Sequence, residues 1–152
     1  MIQKALFGAG CFWGVEEHFR KLNGIIKTEV GYSGGKTENP TYESVCYHNT
    51  DHAEVLLVSF DDEIISYENL IKEFWICHDP TTLDRQGPDV GRQYRSVIYF
   101  FNESQKRIAK MSMKINQPLF KNMIVTEISK ADTFYKAEEY HQKYIQKRAL
   151  PD

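Results

Sequence analysis

Hydrophobic and polar positions change period several times along the chain, and each change marks an element. Lys4–Gly8 reads as a short strand. In the helix that follows, Phe12, Val15, Phe19 and Leu22 recur at helical spacing. Asn23-Gly24 closes it, because glycine accepts the left-handed backbone just past a helix end. Ile25–Tyr32 alternates, with Ile26, Val30 and Tyr32 on one face and Lys27 and Glu29 on the other, the mark of a half-buried strand. From Ser33 to His52 periodicity stops and Gly, Asn, Thr and Tyr dominate; so long a loop in a compact domain is usually functional.

Ala53–Phe60 is a further strand, ended by Asp61-Asp62. Ser66 caps a second helix whose inward stripe is Tyr67, Leu70, Ile71, Phe74 and Trp75. A second long loop, Cys77 to Gln93, precedes a strand over Tyr94–Phe101. Asn102 opens a third helix with Ile108, Met111 and Ile115 as its apolar positions, halted before Pro118. Ile124–Ile128 reads as the last strand and Ala137–Lys147 as a charged, Tyr-rich, loosely packed helix. The order β-α-β-β-α-β predicts an α+β two-layer sandwich with a ferredoxin-like core, to which a helix, a strand and a C-terminal tail are appended. An open α/β sheet is the alternative. No repeat or low-complexity linker divides the sequence, so residues 1–152 are expected to form one domain.

Composition narrows the function classes. At 152 residues the chain can bury a core without disulfides or metal. A net charge of −2 and a pI near 6.2 give no electrostatic reason to expect nucleic acid or an anionic membrane as partner. No apolar run approaches spanning length, and Met1-Ile2-Gln3-Lys4 enters a strand without signal-peptide architecture. Three cysteines (Cys11, Cys46, Cys77) without framework spacing predict free thiols in a reducing compartment. A cytoplasmic monomer is the expectation.

The densest chemistry lies at Phe7-Gly8-Ala9-Gly10-Cys11-Phe12-Trp13-Gly14, where a strand gives way to a helix. A thiol at a helix N-terminus meets the positive end of the helix dipole and unpaired backbone N–H groups, which predicts a lowered pKa and a reactive thiolate. Phe12 and Trp13 would form an apolar platform beside it. Other motifs fall short. Gly8-Ala9-Gly10 with Gly14 imitates a dinucleotide fingerprint, but Cys11, Phe12 and Trp13 fill the space a pyrophosphate would need. Val30 to Thr37 misses a P-loop by its first glycine. Cys46, His48, His52 and Cys77-His78 lack the spacing of a zinc site.

Glu54 shares a face of its strand with Leu56, Val58 and Phe60. Poor solvation there would raise its pKa and suit it to general-acid work; at the strand's end, the side chain could equally reach water. His52 occupies the same face, so Cys11, His52 and an Asp could instead form a hydrolase triad, and periodicity does not choose. A third possibility is a module that binds an apolar peptide without turning it over.

Seven stretches stand out in order along the chain: Gly10-Cys11-Phe12-Trp13-Gly14, Gly31-Tyr32-Ser33-Gly34-Gly35, Asn39-Pro40-Thr41-Tyr42, His52-Ala53-Glu54, His78-Asp79-Pro80-Thr81, Gln93-Tyr94-Arg95-Ser96 and Ala137-Glu138-Glu139-Tyr140-His141-Gln142-Lys143-Tyr144. Taken together, they resemble the peptide methionine sulfoxide reductase A family. The resemblance implies reduction of the S epimer of methionine sulfoxide, free or in oxidised proteins. It implies Cys11 as nucleophile, Glu54 as acid, and Tyr42 and Tyr94 as donors to the sulfoxide oxygen. Phe12 and Trp13 would hold the methyl group, Asp89 would orient the substrate backbone, and Tyr144 would lie near the site. It implies no tightly bound cofactor and no metal. The family's glycine-rich tail with its resolving cysteine has no counterpart after Tyr144, so an external thiol (thioredoxin, or glutathione with glutaredoxin) is expected to regenerate a sulfenic acid on Cys11.

Overall fold

A computed structural model describes residues 1–149 of the chain. The elements run β1 (Ile2–Ala9), α1 (Phe12–Arg20), β2 (Ile25–Ser33), α2 (Tyr42–Tyr47), β3 (Ala53–Asp61) and α3 (Tyr67–Cys77). There follow β4 (Arg85–Gln86), β5 (Asp89–Val90), β6 (Ser96–Phe100), α4 (Glu103–Asn116), β7 (Glu127–Lys130), β8 (Tyr135–Lys136) and α5 (Tyr144–Ala149). Six strands form one sheet in the order β7-β6-β1-β3-β2-β8, while β4 and β5 make a separate small hairpin. The central quartet β6-β1-β3-β2 is antiparallel throughout, as the ferredoxin-like reading requires. The α4 crossover adds β7 parallel to β6 and makes the sheet mixed.

One sheet face carries the main core. Ala5 and Phe7 of β1 and Leu56, Val58 and Phe60 of β3 pack against Val15 and Phe19 of α1 and Leu70, Ile71 and Phe74 of α3. Phe7 sits at its middle, 4.7 Å from the Phe19 ring and 5.5 Å from Phe74. The opposite face is a smaller cluster of Leu6, Ala53, Val55, Val97 and Tyr99, covered by Ala131 and Phe134. Ser66 and Asn102 cap α3 and α4 by accepting from Asn69 N and Gln105 N, as side chains of their type do.

Several boundaries differ from expectation for identifiable reasons. Tyr94 precedes the strand rather than opening it: Arg92–Tyr94 is a 3₁₀ turn, and β6 begins at Ser96. The strand expected over Ile124–Ile128 lies at Glu127–Lys130, three residues beyond the expected start, where pairing with β6 places it, and a further short strand, β8, follows on β2. On α4 the buried residues are Gln105, Ala109 and Ser112, whereas Met111 and Ile115 are 57% and 63% exposed. Those polar side chains go inward because they complete bonds: Gln105 serves Phe101 N and Lys4 O, and Ser112 Oγ accepts the Trp75 indole N–H. The tail from Ala137 is a strap that makes a 3₁₀ turn at Glu139–His141 and becomes α-helical only from Tyr144.

Candidate active site

Cys11 is the N-cap of α1, half-buried, and Val15 N donates to its carbonyl at 3.4 Å. Gly10 before it has φ +94, and a Cβ there would lie 2.7 Å from Gln86 Cγ, so only glycine fits. Gln86 is itself fixed, accepting from Asp79 N and donating to Asp79 O, both at 2.8 Å. The β4–β5 hairpin is thereby clipped over the approach to Cys11, with Asp89 opposite Gln86. Burial pushes the Cys11 thiol up to about 11; the Trp13 N–H opposes this, the Glu54 and Asp89 carboxyls add to it, and the Gly14 N–H again opposes. The helix terminus therefore acts on the thiol as expected, yet desolvation outweighs it and the resting form is the protonated thiol. The expectation of a lowered pKa is corrected.

Glu54 is 1% exposed, so its side chain does not reach water. The pairing of β2 with β3 sets it opposite Tyr32 and turns it beneath the first turn of α1. Phe12 N donates to Oε1 at 3.1 Å, and Oε2 is buried with no partner among the described residues. Burial raises its pKa to about 8; the Phe12 N–H opposes this and the Asp89 charge supports it. At neutral pH Glu54 is a carboxylic acid lying beside the thiol.

Two phenols converge on the same carboxyl. Tyr42 starts α2, whose capping box is closed between Thr41 and Ser44. Tyr94 is carried by the turn before β6, its N–H on Gly91 O at 3.0 Å. Burial raises both phenols above the ordinary tyrosine range. For Tyr42 the Cys46 thiol and then Glu54 add to it; for Tyr94, Glu54, Cys46, Asp89 and Cys11 do. Both remain hydrogen-bond donors across the working pH range.

The aromatic platform divides into two parts. Phe12 is 1% exposed and lies against Tyr32 and His141, at centroid distances of 5.7 and 5.2 Å. Trp13 is more open. Its indole N–H donates to His141 Nδ1 at 2.9 Å, and Tyr144 stacks on it at 3.8 Å and 9°, with the Arg148 guanidinium 4.6 Å from the Tyr144 ring. One indole face is thus taken by Tyr144, which leaves the edge and the other face for a ligand.

The strap from Ala137 builds this wall, and the reading of individual residues missed most of it. Glu138 accepts from Tyr32 Oη and Tyr42 N, both at 2.9 Å. Gln142 accepts from Val30 N and donates to Val30 O, both at 2.9 Å, continuing the edge of β2 beyond β8. Lys143 N donates to the buried Glu16 carboxylate, whose other oxygen accepts from Thr28 Oγ1 at 2.7 Å. A cluster of bonding-capable residues in a non-periodic segment was the available signal.

The competing motifs resolve as structure. Both ring nitrogens of His52 are committed to backbone: Nδ1 accepts from Gly35 N at 3.0 Å and Nε2 pairs with Thr37 O at 2.7 Å. No base remains for a Cys11–His52 hydrolase. A Cβ on Gly34 would strike the Tyr99 hydroxyl, and one on Gly35 the His52 ring, so these glycines serve packing rather than phosphate. Among the described residues no group of three or more His, Cys, Asp or Glu could hold a metal ion. Cys46 lies by Tyr42 at the site. Cys77 is held elsewhere, its Sγ on Phe74 O at 3.3 Å, and burial pushes its pKa up to about 12.

A thiol beside a protonated carboxyl, two phenolic donors and an aromatic wall, set on an α+β sandwich, has the chemistry of a thiol enzyme assisted by a proton donor. Comparison with known proteins shows the family. The sequence model of the peptide methionine sulfoxide reductase family matches residues 3–151, and the chain belongs to that family. It is 56% identical to a peptide methionine sulfoxide reductase MsrA of Methanothermobacter thermautotrophicus over 147 residues, 95% of this chain and 87% of that one. The reduced form of Mxr1 from Saccharomyces cerevisiae superposes with a TM-score of 0.92 at 37% identity, over 99% of this chain and 88% of that one. Mxr1 in complex with Trx2 superposes less closely, with a TM-score of 0.65 at 26% identity over 99% and 86% of the two chains.

Proposed function

We propose that the chain reduces the S epimer of methionine sulfoxide, in oxidised proteins and as the free amino acid, with Cys11 as nucleophile and Glu54 as acid. Family membership supports the reaction class, and Glu54 supports the mechanism: it is a buried carboxyl beside the thiol that stays protonated to about pH 8. A sulfoxide oxygen leaves poorly until protonated, so an acid and converging donors must meet it. Glu54 delivers its proton while Tyr42 and Tyr94 donate hydrogen bonds, and the Cys11 sulfur bonds to the sulfoxide sulfur. The oxygen then passes to the Cys11 sulfur, the thiol proton restores Glu54, and the products are methionine and a Cys11 sulfenic acid. Phe12 and the open edge of Trp13 receive the methyl group, with Tyr144 holding the indole from behind and Asp89 orienting the substrate backbone.

Regeneration by external thiols completes the cycle: one thiol displaces water from the sulfenic acid to form a mixed disulfide with Cys11, and a second releases the reduced Cys11 and leaves as the disulfide. The Mxr1–Trx2 complex supports a thioredoxin-type partner, with glutathione and glutaredoxin as the other candidate. We further assign the chain to the cytoplasm as a monomeric single catalytic domain over residues 1–152, without a tightly bound cofactor and with no nucleic-acid or membrane partner. The deciding experiment offers each epimer separately to the pre-reduced protein in a single turnover, with mass spectrometry of Cys11. Formation of methionine from the S epimer alone, with one oxygen added to Cys11, is expected. Turnover of acyl or peptide substrates without reduction of either epimer would overturn the reading.

A further inference from the structure

Asp51 and Asp84 both lie in the left-handed backbone region, at φ 60 and 51, which residues other than glycine enter only at a cost. Far apart in sequence, they meet on one guanidinium: Arg92 Nε donates to Asp51 Oδ1 at 2.9 Å, and Nη1 donates to Asp84 Oδ1 at 3.2 Å. The Arg92 guanidinium above all, against the opposing effect of burial, holds the Asp51 carboxyl below the ordinary carboxylate range. Both ends of that bond are therefore charged at neutral pH.

The three residues come from three segments that carry the site. Asp51 lies just before the start of β3, which bears Glu54. Asp84 leads into the β4–β5 hairpin that holds Gln86 and Asp89, and its carbonyl accepts Gly91 N at 2.8 Å to close the base of that hairpin. Arg92 begins the 3₁₀ turn that ends on Tyr94. On the core side this turn rests on Arg95, 4% exposed, whose Nη1 donates to Arg92 O at 2.9 Å. The Arg92 side chain is 49% exposed, and ion pairs so open to solvent add little to fold stability. Two left-handed aspartates are a poor way to stabilise a fold; what the arrangement secures is the relative placement of the three segments.

We propose that Arg92 is a positioning residue: by bridging Asp51 and Asp84 it fixes the turn that aims the Tyr94 phenol at the sulfoxide oxygen. The inference deepens the sulfoxide-reductase reading and rests on it for the role of Tyr94. Without the guanidinium, the turn keeps the bond of Tyr94 N to Gly91 O and its floor on Arg95, so the fold survives while the phenol is no longer held in one place. A donor that serves a developing charge is sensitive to such play, because its bond must be aligned in the transition state.

The test is a cycle of Arg92→Ala and Tyr94→Phe in the full chain, read in single turnovers on a blocked, uncharged methionine sulfoxide. Arg92→Ala should slow the chemical step about 3- to 10-fold, the worth of one hydrogen bond, with the half-saturating concentration nearly constant and the urea midpoint little moved. In the Tyr94→Phe background the same substitution should cost less than about 2-fold, since the group through which it acts is gone. Amide exchange gives a readout apart from activity: the Gly91 and Tyr94 N–H groups should exchange about 3- to 10-fold faster in Arg92→Ala, while those within β6 keep their protection. An unchanged rate or unchanged exchange in Arg92→Ala, an equal loss of rate with and without the Tyr94 hydroxyl, or a loss matched by collapse of the urea midpoint would overturn the proposal. Should the chain reduce no sulfoxide at all, the exchange still decides whether Arg92 holds the turn, and the reading of the function fails separately.

Discussion

Phe12 and Glu54 are 42 residues apart in sequence, yet the backbone N–H of one donates to the carboxyl of the other at 3.1 Å. That bond joins the first turn of α1 to the start of β3 and fixes how far the acid lies from the adjacent thiol. It occupies Oε1 alone, and the second oxygen, buried and unpartnered among the described residues, is the one left to hold a transferable proton.

Cys11→Ser should abolish sulfoxide reduction with no loss of fold. The side chain makes no capping bond, so α1 does not depend on the sulfur. Residual turnover near the wild-type level in a coupled assay would show that another group is the nucleophile.

Glu54→Gln should slow the single-turnover chemical step by about 10²- to 10⁴-fold, the usual range for losing a general acid. KM should change little, because the amide oxygen still accepts from Phe12 N and a proton donor acts chiefly in the transition state. Wild-type rates should decline as pH rises through about 8, where Glu54 ionises, and the variant should lack that limb. Rapid-quench measurement across pH distinguishes these outcomes.

The same substitution should stabilise the fold at alkaline pH. Folded Glu54 keeps its proton to about pH 8, whereas the unfolded chain releases it near 4.5. Between those values the folded state binds the extra proton, so stability falls as pH rises, and Gln removes that loss. A gain of about 3–5 kcal/mol is expected above that window and almost none below it, read by urea melts at both ends. An equal gain at acid and alkaline pH would contradict the raised pKa.

One turnover without reductant should leave Cys11 as a sulfenic acid that dimedone traps. Cys77 is anchored to Phe74 O at the end of α3, and the Cys46 thiol lies with the Tyr42 phenol. A variant with both changed to Ala should therefore keep steady-state turnover with an external thiol. Abundant Cys11–Cys46 or Cys11–Cys77 disulfide on non-reducing mass spectrometry would replace this scheme with internal resolution.

Gln142→Ala should loosen the strap. It removes both bonds to Val30 and a third to Ala137 O, leaving buried backbone groups unpaired. A loss of about 2–4 kcal/mol follows from such groups, with KM raised because His141 and Tyr144 ride on the same segment. Chemical denaturation and kinetics on one preparation check both parts.

Local pattern alone determined the helices α1 and α3, the strands β2 and β3, and the ferredoxin-like order, because each has a clear period between turn residues. It also placed Cys11 at a helix start and Glu54 on the apolar face of β3. What it could not determine depended on partners distant in sequence. The Cys11 pKa followed from the burial and carboxyls that folding brings to it, not from the helix terminus that sequence displays. His52 lost any catalytic standing once Gly35 and Thr37 took both its nitrogens. The inward face of α4 was decided by Lys4 O and the Trp75 indole, which reward Gln105 and Ser112 over Met111 and Ile115. His141, Glu138 and Gln142 belong to the site only because Trp13, Tyr42 and Val30 wait for their hydrogen bonds across the fold. Periodicity records which side of an element is dry, but a buried polar group is placed by the partner that satisfies it, and only the tertiary structure brings that partner within reach.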